Sequence, residues 1–137
     1  MGAPVELLES IPLFADLEGK ELKQLANTFK ERAFDAGQTI AQEGKGGIGF
    51  FVIGEGEVSF SVHGEQRGTA GPGAYFGEIA LIDDGFRSAT VKAETDVRLY
   101  GLTSWEFRPL VETNASIAWN LLQVLAKRLR AAEQREN

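Results

Sequence analysis

Arg87 is an isolated cation in the segment Tyr75–Ala93, which reads YFGEIALIDDGFRSATVKA, in a protein of formal net charge −6. Its guanidinium group offers a rigid fork of donors whose geometry suits a phosphate. Ser88 adds a hydroxyl donor, and Ala89 is too small to obstruct a ligand. These three residues together predict an anion site.

The run that precedes this arginine predicts about one helical turn. It contains Phe76, Gly77, Glu78, Ile79 and Ala80. The first backbone N–H groups of a helical turn lack intrahelical partners and lie at the positive end of its dipole, so they attract anions. Gly77 would let a ligand approach the backbone closely, because it has no side chain. A phosphate bound here would meet both the helix end and Arg87.

Glu78 needs a different explanation, since a carboxylate repels phosphate. It can accept a hydrogen bond from a sugar hydroxyl, so Glu78 and Arg87 together suit a phosphate joined to a ribose. The alternative is an exposed Glu78–Arg87 ion pair, which would contribute little to stability. The spacing alone leaves both interpretations open.

The composition argues against most catalytic chemistry. The absence of cysteine excludes disulfides and thiol catalysis. The one histidine, His63, falls in an expected hairpin turn and cannot form a histidine-rich metal site. The pair Asp83-Asp84 lacks the third spaced carboxylate of a calcium loop. We therefore predict neither a metal site nor a cofactor; acid–base catalysis by carboxylates stays open, although no pattern points to it.

Charge and hydropathy constrain the surroundings of the protein. The net charge of −6 argues against nucleic acid, which selects basic surfaces. No run approaches the roughly 20 apolar residues of a membrane span, and the N-terminus MGAPVELLES does not resemble a signal peptide. We expect a cytoplasmic protein with no membrane contact and no direct DNA binding.

The periodicity of apolar residues predicts one domain over residues 1–137, mainly β with flanking α-helices. Helices are expected over 5–31 and 104–134, and short strands separated by glycine-containing turns over 32–102. Strands of this length and spacing predict an antiparallel barrel or jelly roll.

Several polar residues are placed to begin helices. Asp16 is expected to cap a helix that starts near Glu18, and Asn114 the last helix. Thr103 and Glu106 have the spacing of a capping box. After Leu129 the chain becomes polar, and we expect the helix to fray.

The segment FGEIALIDDGFRSATVKA closely resembles the phosphate-binding cassette of cyclic nucleotide-binding domains. The resemblance covers nearly the whole chain: IPLFADLEGKELKQLA is similar to the N-terminal helices of that family, FDAGQTIAQEG and FFVIGEGEV to its first strands, and WNLLQVLAKRLR to its C-terminal helix. Phe86 stands where the family commonly has proline. The loop GKGGIGFF has extra glycine and lacks the usual acidic residue and tyrosine.

The resemblance implies a role for each cassette residue. Glu78 would accept from the ribose 2′-hydroxyl, and Arg87 would pair with the phosphate oxygens with help from Ser88. Gly77 and the backbone near Ala80 would line the sugar-phosphate. In gene-activating members the C-terminal helix contacts adenine through a Thr-Ser pair, whose place is taken here by Ala132 and Glu133.

The resemblance further implies an antiparallel jelly-roll β-barrel with the phosphate-binding cassette at 76–91. It implies a stand-alone sensor, not an enzyme, that binds cyclic AMP, with cyclic GMP as the other candidate ligand, and signals to a protein effector. A homodimer through the C-terminal helix is one arrangement that the sequence leaves open. Two alternatives remain: an interaction module of the same fold that binds no nucleotide, and an enzyme that uses the barrel cavity.

Overall fold

The computed structural model describes residues 2–44, 49–77 and 89–136. The helices among them are α1 (Val5–Glu9), a 3-10 helix (Pro12–Phe14), α2 (Gly19–Thr28), α3 (Ser104–Thr113) and α4 (Ala115–Glu136). The strands are β1 (Lys30–Phe34), β2 (Thr39–Ala41), β3 (Phe50–Glu55), β4 (Val58–Val62), β5 (Glu65–Ala70), β6 (Tyr75–Phe76), β7 (Thr90–Ala93) and β8 (Val97–Leu102).

These strands form two four-stranded antiparallel sheets. The first sheet has the order β1-β8-β3-β6 and the second the order β2-β7-β4-β5. Apolar side chains of the two sheets pack against each other in one cluster, which includes Ile53 and Leu99 from the first sheet and Val58 and Val91 from the second. The predicted mainly-β antiparallel fold with flanking helices is confirmed.

The central strands of the first sheet, β3 and β8, are buried on both faces, because their side chains alternate between two cores; the edge strand β1 is mostly exposed. Phe51 and Ile53 belong to the core between the sheets, whereas Phe50 and Val52 pack against the helices in the helix-side core. A strand buried on both faces needs a continuous apolar run, and FFVI on β3 supplies one. The first sheet therefore connects the interior between the sheets to the helical layer.

The capping box predicted at the start of α3 is present. The Thr103 backbone N–H donates to Oε1 of Glu106 at 3.0 Å and the Thr103 hydroxyl donates to the same oxygen at 2.7 Å. These hydrogen bonds lower the pKa of Glu106, the side-chain bond contributing most. They fix the direction in which the chain leaves β8.

One predicted cap is wrong. The Asp16 side chain does not cap α2, which begins at Gly19 after Glu18; it accepts a hydrogen bond from the Asn120 amide, so a distant partner replaces the local one. Asn114 stands directly before α4 as predicted, and its backbone carbonyl accepts from the Ile117 N–H at 3.0 Å. The Asn114 side-chain amide donates back to the Leu110 carbonyl of α3 at 3.0 Å.

Helix α4 continues to Glu136, beyond the fraying expected after Leu129. Its buried residues, Ile117 and Leu121, lie in the first half and join the core formed with the N-terminal helices. All side chains from Ala126 to Ala131 are exposed. The first half of α4 is thus packed on the domain, while most of the second half faces solvent.

Candidate functional site

The cassette segment leaves the first sheet at β6. Phe76 pairs with Phe51 of β3 and is only 7% exposed. Its ring lies 5.3 Å from that of Phe51 and 5.8 Å, edge-on, from that of Phe60 on β4 in the second sheet. Phe76 therefore anchors the start of the cassette to both sheets.

Gly77 gives the chain a sharp change of direction directly after this anchor. Its φ is +91°, in the left-handed region that side-chain-bearing residues rarely adopt, and it is half-buried. The glycine predicted here to allow a close approach to the backbone is thus also required by the conformation.

The cassette segment returns on the second sheet. Ala89 is half-buried, and the following residue, Thr90, begins β7 opposite Ser61 of β4. Since β6 belongs to the first sheet and β7 to the second, the segment 78–88 connects the two sheets. Both of its ends are fixed by strand pairing.

A chain of hydrogen bonds supports the return end. The Thr90 hydroxyl accepts from the Glu43 backbone N–H at 3.0 Å. One carboxylate oxygen of Glu43 accepts from the His63 backbone N–H at 2.8 Å, and the other lies 3.4 Å from Nδ1 of His63. The β4–β5 turn, the end of β2 and the start of β7 are thereby held together. Sequence reasoning missed this link, because none of the three residues is close to another along the chain.

The space between the sheets is lined by apolar side chains that are less buried near its margin. Half-buried Phe34, Ile40 and Phe60, together with the alanines Ala41, Ala70 and Ala74, pack against the fully buried members of this core. These side chains offer a ligand apolar surface and no charge. An apolar group such as the base of a nucleotide would suit this margin better than a phosphate.

A cluster of aromatic rings connects the start of the cassette to the helices. Phe50 lies 5.5 Å from Tyr75, the residue before Phe76, measured between ring centroids. On its other sides Phe50 lies 6.1 Å from Phe14 of the 3-10 helix and 6.3 Å from Phe107 of α3. Phe50 thus links the start of the cassette to the N-terminal 3-10 helix and to α3, so a displacement at the cassette can reach both through one side chain. The sequence showed these aromatics, but not that they meet.

The structure places only some of the predicted site residues. Phe76, Gly77 and Ala89 lie at the two ends of the segment that connects the sheets. Residues Glu78, Ile79, Ala80, Arg87 and Ser88 lie outside the described residues. The proposed base contacts lie on the second half of α4, where Ala132 is half-buried and Glu133 is exposed.

The part of the chain that the structure describes contains no group of three or more histidine, aspartate or glutamate side chains placed to hold a metal ion. No helix of that part is long and apolar enough to cross a bilayer.

Comparison with known proteins identifies the fold. The model of the cyclic nucleotide-binding domain matches residues 31–114. The cyclic AMP receptor protein of Thermus thermophilus is 34% identical over 131 residues, which cover 92% of this chain and 61% of that protein. The crystal structure of the catabolite activator protein of the same organism superimposes with a TM-score of 0.82 at 32% identity, covering 90% of this chain and 61% of that one.

Other relatives carry the domain in different settings. A cyclic nucleotide-gated potassium channel of Mesorhizobium japonicum is 37% identical over 113 residues, 82% of this chain but 31% of the channel. The regulatory domain of Toxoplasma gondii PKA, solved with cAMP, has a TM-score of 0.70 at 29% identity and is matched over 42% of its length by 77% of this chain. The chain spans 61% and 31% of the two curated relatives. Since the family model matches more than half of the chain, over the strands and the cassette alike, this protein belongs to the cyclic nucleotide-binding domain family.

Proposed function

We propose that this domain reversibly binds a 3′,5′-cyclic nucleotide, with cyclic AMP preferred, and transmits the binding event to another protein. The observation that carries the proposal is the cassette sequence, with its Glu78 and Arg87, in a chain of this family whose segment 78–88 is anchored to one sheet at each end. The relatives are named as a receptor, a gated channel and a regulatory domain, which supports a sensor rather than an enzyme.

The proposed roles follow from charge. A cyclic phosphate carries one negative charge, which Arg87 and the N–H groups near Ala80 would neutralise with help from Ser88. Glu78 would accept a hydrogen bond from the ribose 2′-hydroxyl. The apolar interior between the sheets would take the base.

The route of the signal is proposed from the ring contacts. Nucleotide binding would move the cassette, and Tyr75 would pass this movement to Phe50 and on to Phe107 of α3. Helix α4 follows α3 directly and would respond as a lid. A ligand shifts such an equilibrium only as far as its affinity differs between the two arrangements.

A second copy of this chain is the partner that the surface of α4 fits. Trp119, Leu122 and Leu129 are 63%, 57% and 62% exposed, and with Ala126 they form one stripe. Their spacing of three and four residues is that of a helix–helix seam. An exposed apolar stripe of this kind marks an interaction surface. We therefore propose self-association through the outer face of α4.

Calorimetric titration with cyclic AMP tests the proposal. Arg87→Ala should weaken binding tens-fold or more, since hydrogen bonds to charged groups contribute roughly 1.5–3 kcal/mol each. The matched control is Arg67→Ala, because Arg67 is an exposed arginine on β5 whose nearest acidic partner lies 3.8 Å away; it should bind like the parent. Equal affinities for both variants would refute the site.

The ribose contact is tested separately. Glu78→Gln should weaken cyclic AMP binding, and 2′-deoxy cyclic AMP should lose less in that variant than cyclic AMP does. Equal losses for the two ligands would remove the link between Glu78 and the 2′-hydroxyl.

Base preference should be modest. Ala132 offers no polar atom, and the Glu133 carboxylate can accept from the amino group of adenine or of guanine. We expect cyclic AMP to be preferred over cyclic GMP by about tenfold or less, and deletion after Leu129 to lower affinity and flatten that preference. A preference of about a thousandfold that survives the deletion would show that the barrel reads the base.

The competing proposal is an interaction module of the same fold that binds no nucleotide. The exposed stripe on α4 is compatible with it, whereas the charged cassette residues favour binding. Absence of heat with cyclic AMP and cyclic GMP, from a folded parent protein that still self-associates, would support the module.

A further inference from the structure

Helix α4 carries apolar residues on two nearly opposite faces. The inner stripe consists of Ile117, Leu121 and Val124, which pack in the helix-side core. The outer stripe consists of Trp119, Leu122, Ala126 and Leu129, which are exposed. At about 100° per residue the two stripes are centred roughly 160° apart. Either could be buried against an apolar surface.

The two stripes are joined on one side of the helix. Ala118, Leu125 and Ala132 lie between them and are half-buried. In the packed first half of α4, residues 115–126, this side carries no charged residue, so a roll through it would bury none there. Arg128 and Glu133 lie within the arc spanned by the two stripes and this side, in the exposed second half. Hydrophobicity alone therefore does not determine which stripe faces the domain.

Asn120 lies on the other flank of the inner stripe, at the edge of the polar arc. Its amide nitrogen donates to the carboxylate of Asp16 at 3.1 Å. It also lies within hydrogen-bond distance of the carbonyls of Pro12 and Leu13, at 3.3 and 3.4 Å. These acceptors belong to the 3-10 helix and the turn after it, which are more than 100 residues away along the chain.

A polar contact of this kind specifies orientation more than it adds stability. Only one rotation of α4 brings the Asn120 amide to this group of acceptors, since a roll toward the outer stripe would carry it away from them. Single polar side chains at otherwise apolar helix contacts are known to fix register in this manner.

We propose that Asn120 sets the rotational register of α4, and thereby decides which apolar stripe is buried and which is presented to a second copy of the chain. Asn120 is a positioning residue: it touches neither nucleotide nor partner. The claim about presentation rests on the proposed self-association, whereas the claim about register does not.

The test places a carboxylate among these acceptors. In a chain that carries Trp105→Phe, Trp119 is the only indole, because the protein has two tryptophans. Asn120→Asp in that chain should force α4 out of its register, since a carboxylate there faces the Asp16 carboxylate and two carbonyls. Acrylamide quenching of Trp119, measured at a dilution where the parent is monomeric, should fall at least twofold. Self-association should weaken at least tenfold.

Three further variants distinguish a change of helix register from general loss of structure. The exchange Asp16→Asn with Asn120→Asp restores a donor and an acceptor in swapped positions but leaves the Pro12 and Leu13 carbonyls facing a carboxylate, so both readouts should return at least halfway to those of the parent. Gln123→Glu makes the same amide-to-acid change at an exposed position of α4 and should alter neither. If Asn120→Asp is unfolded by circular dichroism, Asn120→Leu should show the same fall in quenching.

The outcomes distinguish the two proposals. Quenching of folded Asn120→Asp or Asn120→Leu that equals that of Gln123→Glu overturns the register proposal, as does an exchange that restores nothing. A register response in a protein that binds no cyclic nucleotide supports the register proposal and refutes the proposed function alone.

Discussion

The helix-side core and the core between the sheets differ in how completely they are packed. Among the described residues, ten of the twelve largest fully buried side chains belong to the helix-side core, including Phe14, Phe29, Phe50 and Phe107. The core between the sheets contributes Ile53 and Leu99 to that set, and its margin consists of half-buried Phe34, Ile40, Phe60 and three alanines. The domain is thus stabilised mainly on the helix side of the first sheet, whereas the proposed base site lies on the side that is less completely buried.

Truncation of the central aromatic ring should break the better-packed core. Phe50 is fully buried and contacts four other rings. Phe50→Ala should lower the free energy of unfolding by about 3–5 kcal/mol, measured by urea denaturation. Phe60→Ala, at the half-buried margin of the other core, should cost less than about half as much. Equal losses would mean that the two cores are equally packed.

Alanine substitutions at two glycines of similar positive φ should distinguish an effect on nucleotide binding from an effect on stability. Gly77 and Gly73 have nearly the same φ, +91° and +90°. Alanine at either should cost roughly 1–2 kcal/mol of stability for a left-handed conformation. Only Gly77→Ala should also weaken cyclic AMP binding in a calorimetric titration, because it changes how the cassette leaves β6. Equal affinity in both variants would show that this exit does not affect the site.

Removing a hydrogen bond of the capping box should give the smallest loss of stability of the three changes, and that loss should depend on pH. Thr103→Val removes the hydroxyl that donates to Glu106 and should cost about 1 kcal/mol near pH 7. This bond lowers the pKa of Glu106 in the folded protein, so its contribution is present above the ordinary glutamate range and is lost as pH falls through the folded pKa. The gap between parent and variant should therefore narrow in acid. A constant gap would show that ionised Glu106 is not the acceptor that matters.

Features set by neighbouring residues were predictable from the sequence. The structure contains the short strands separated by glycine-containing turns and the Thr103–Glu106 capping box. Each of these depends only on residues that are close together along the chain. Asp16 was misassigned because its partner, Asn120, is distant along the chain. The convergence on Phe50 depends on which strands pair, which no local pattern records. The roles of Glu78 and Arg87 stay predictions.

The antiparallel pairing of β1 with β8 has a consequence for the time at which the domain can form. Lys30 lies opposite Gly101, 71 residues later in the chain, and this pairing closes the edge of the first sheet. At a synthesis rate of about 5–20 residues per second, β1 waits roughly 4–14 s before its partner exists. FFVI of β3 is made later and waits about 2.5–10 s for β8, because Phe51 pairs with Gly101, 50 residues further on. A chaperone that binds apolar segments could therefore bind this strand before the domain has folded.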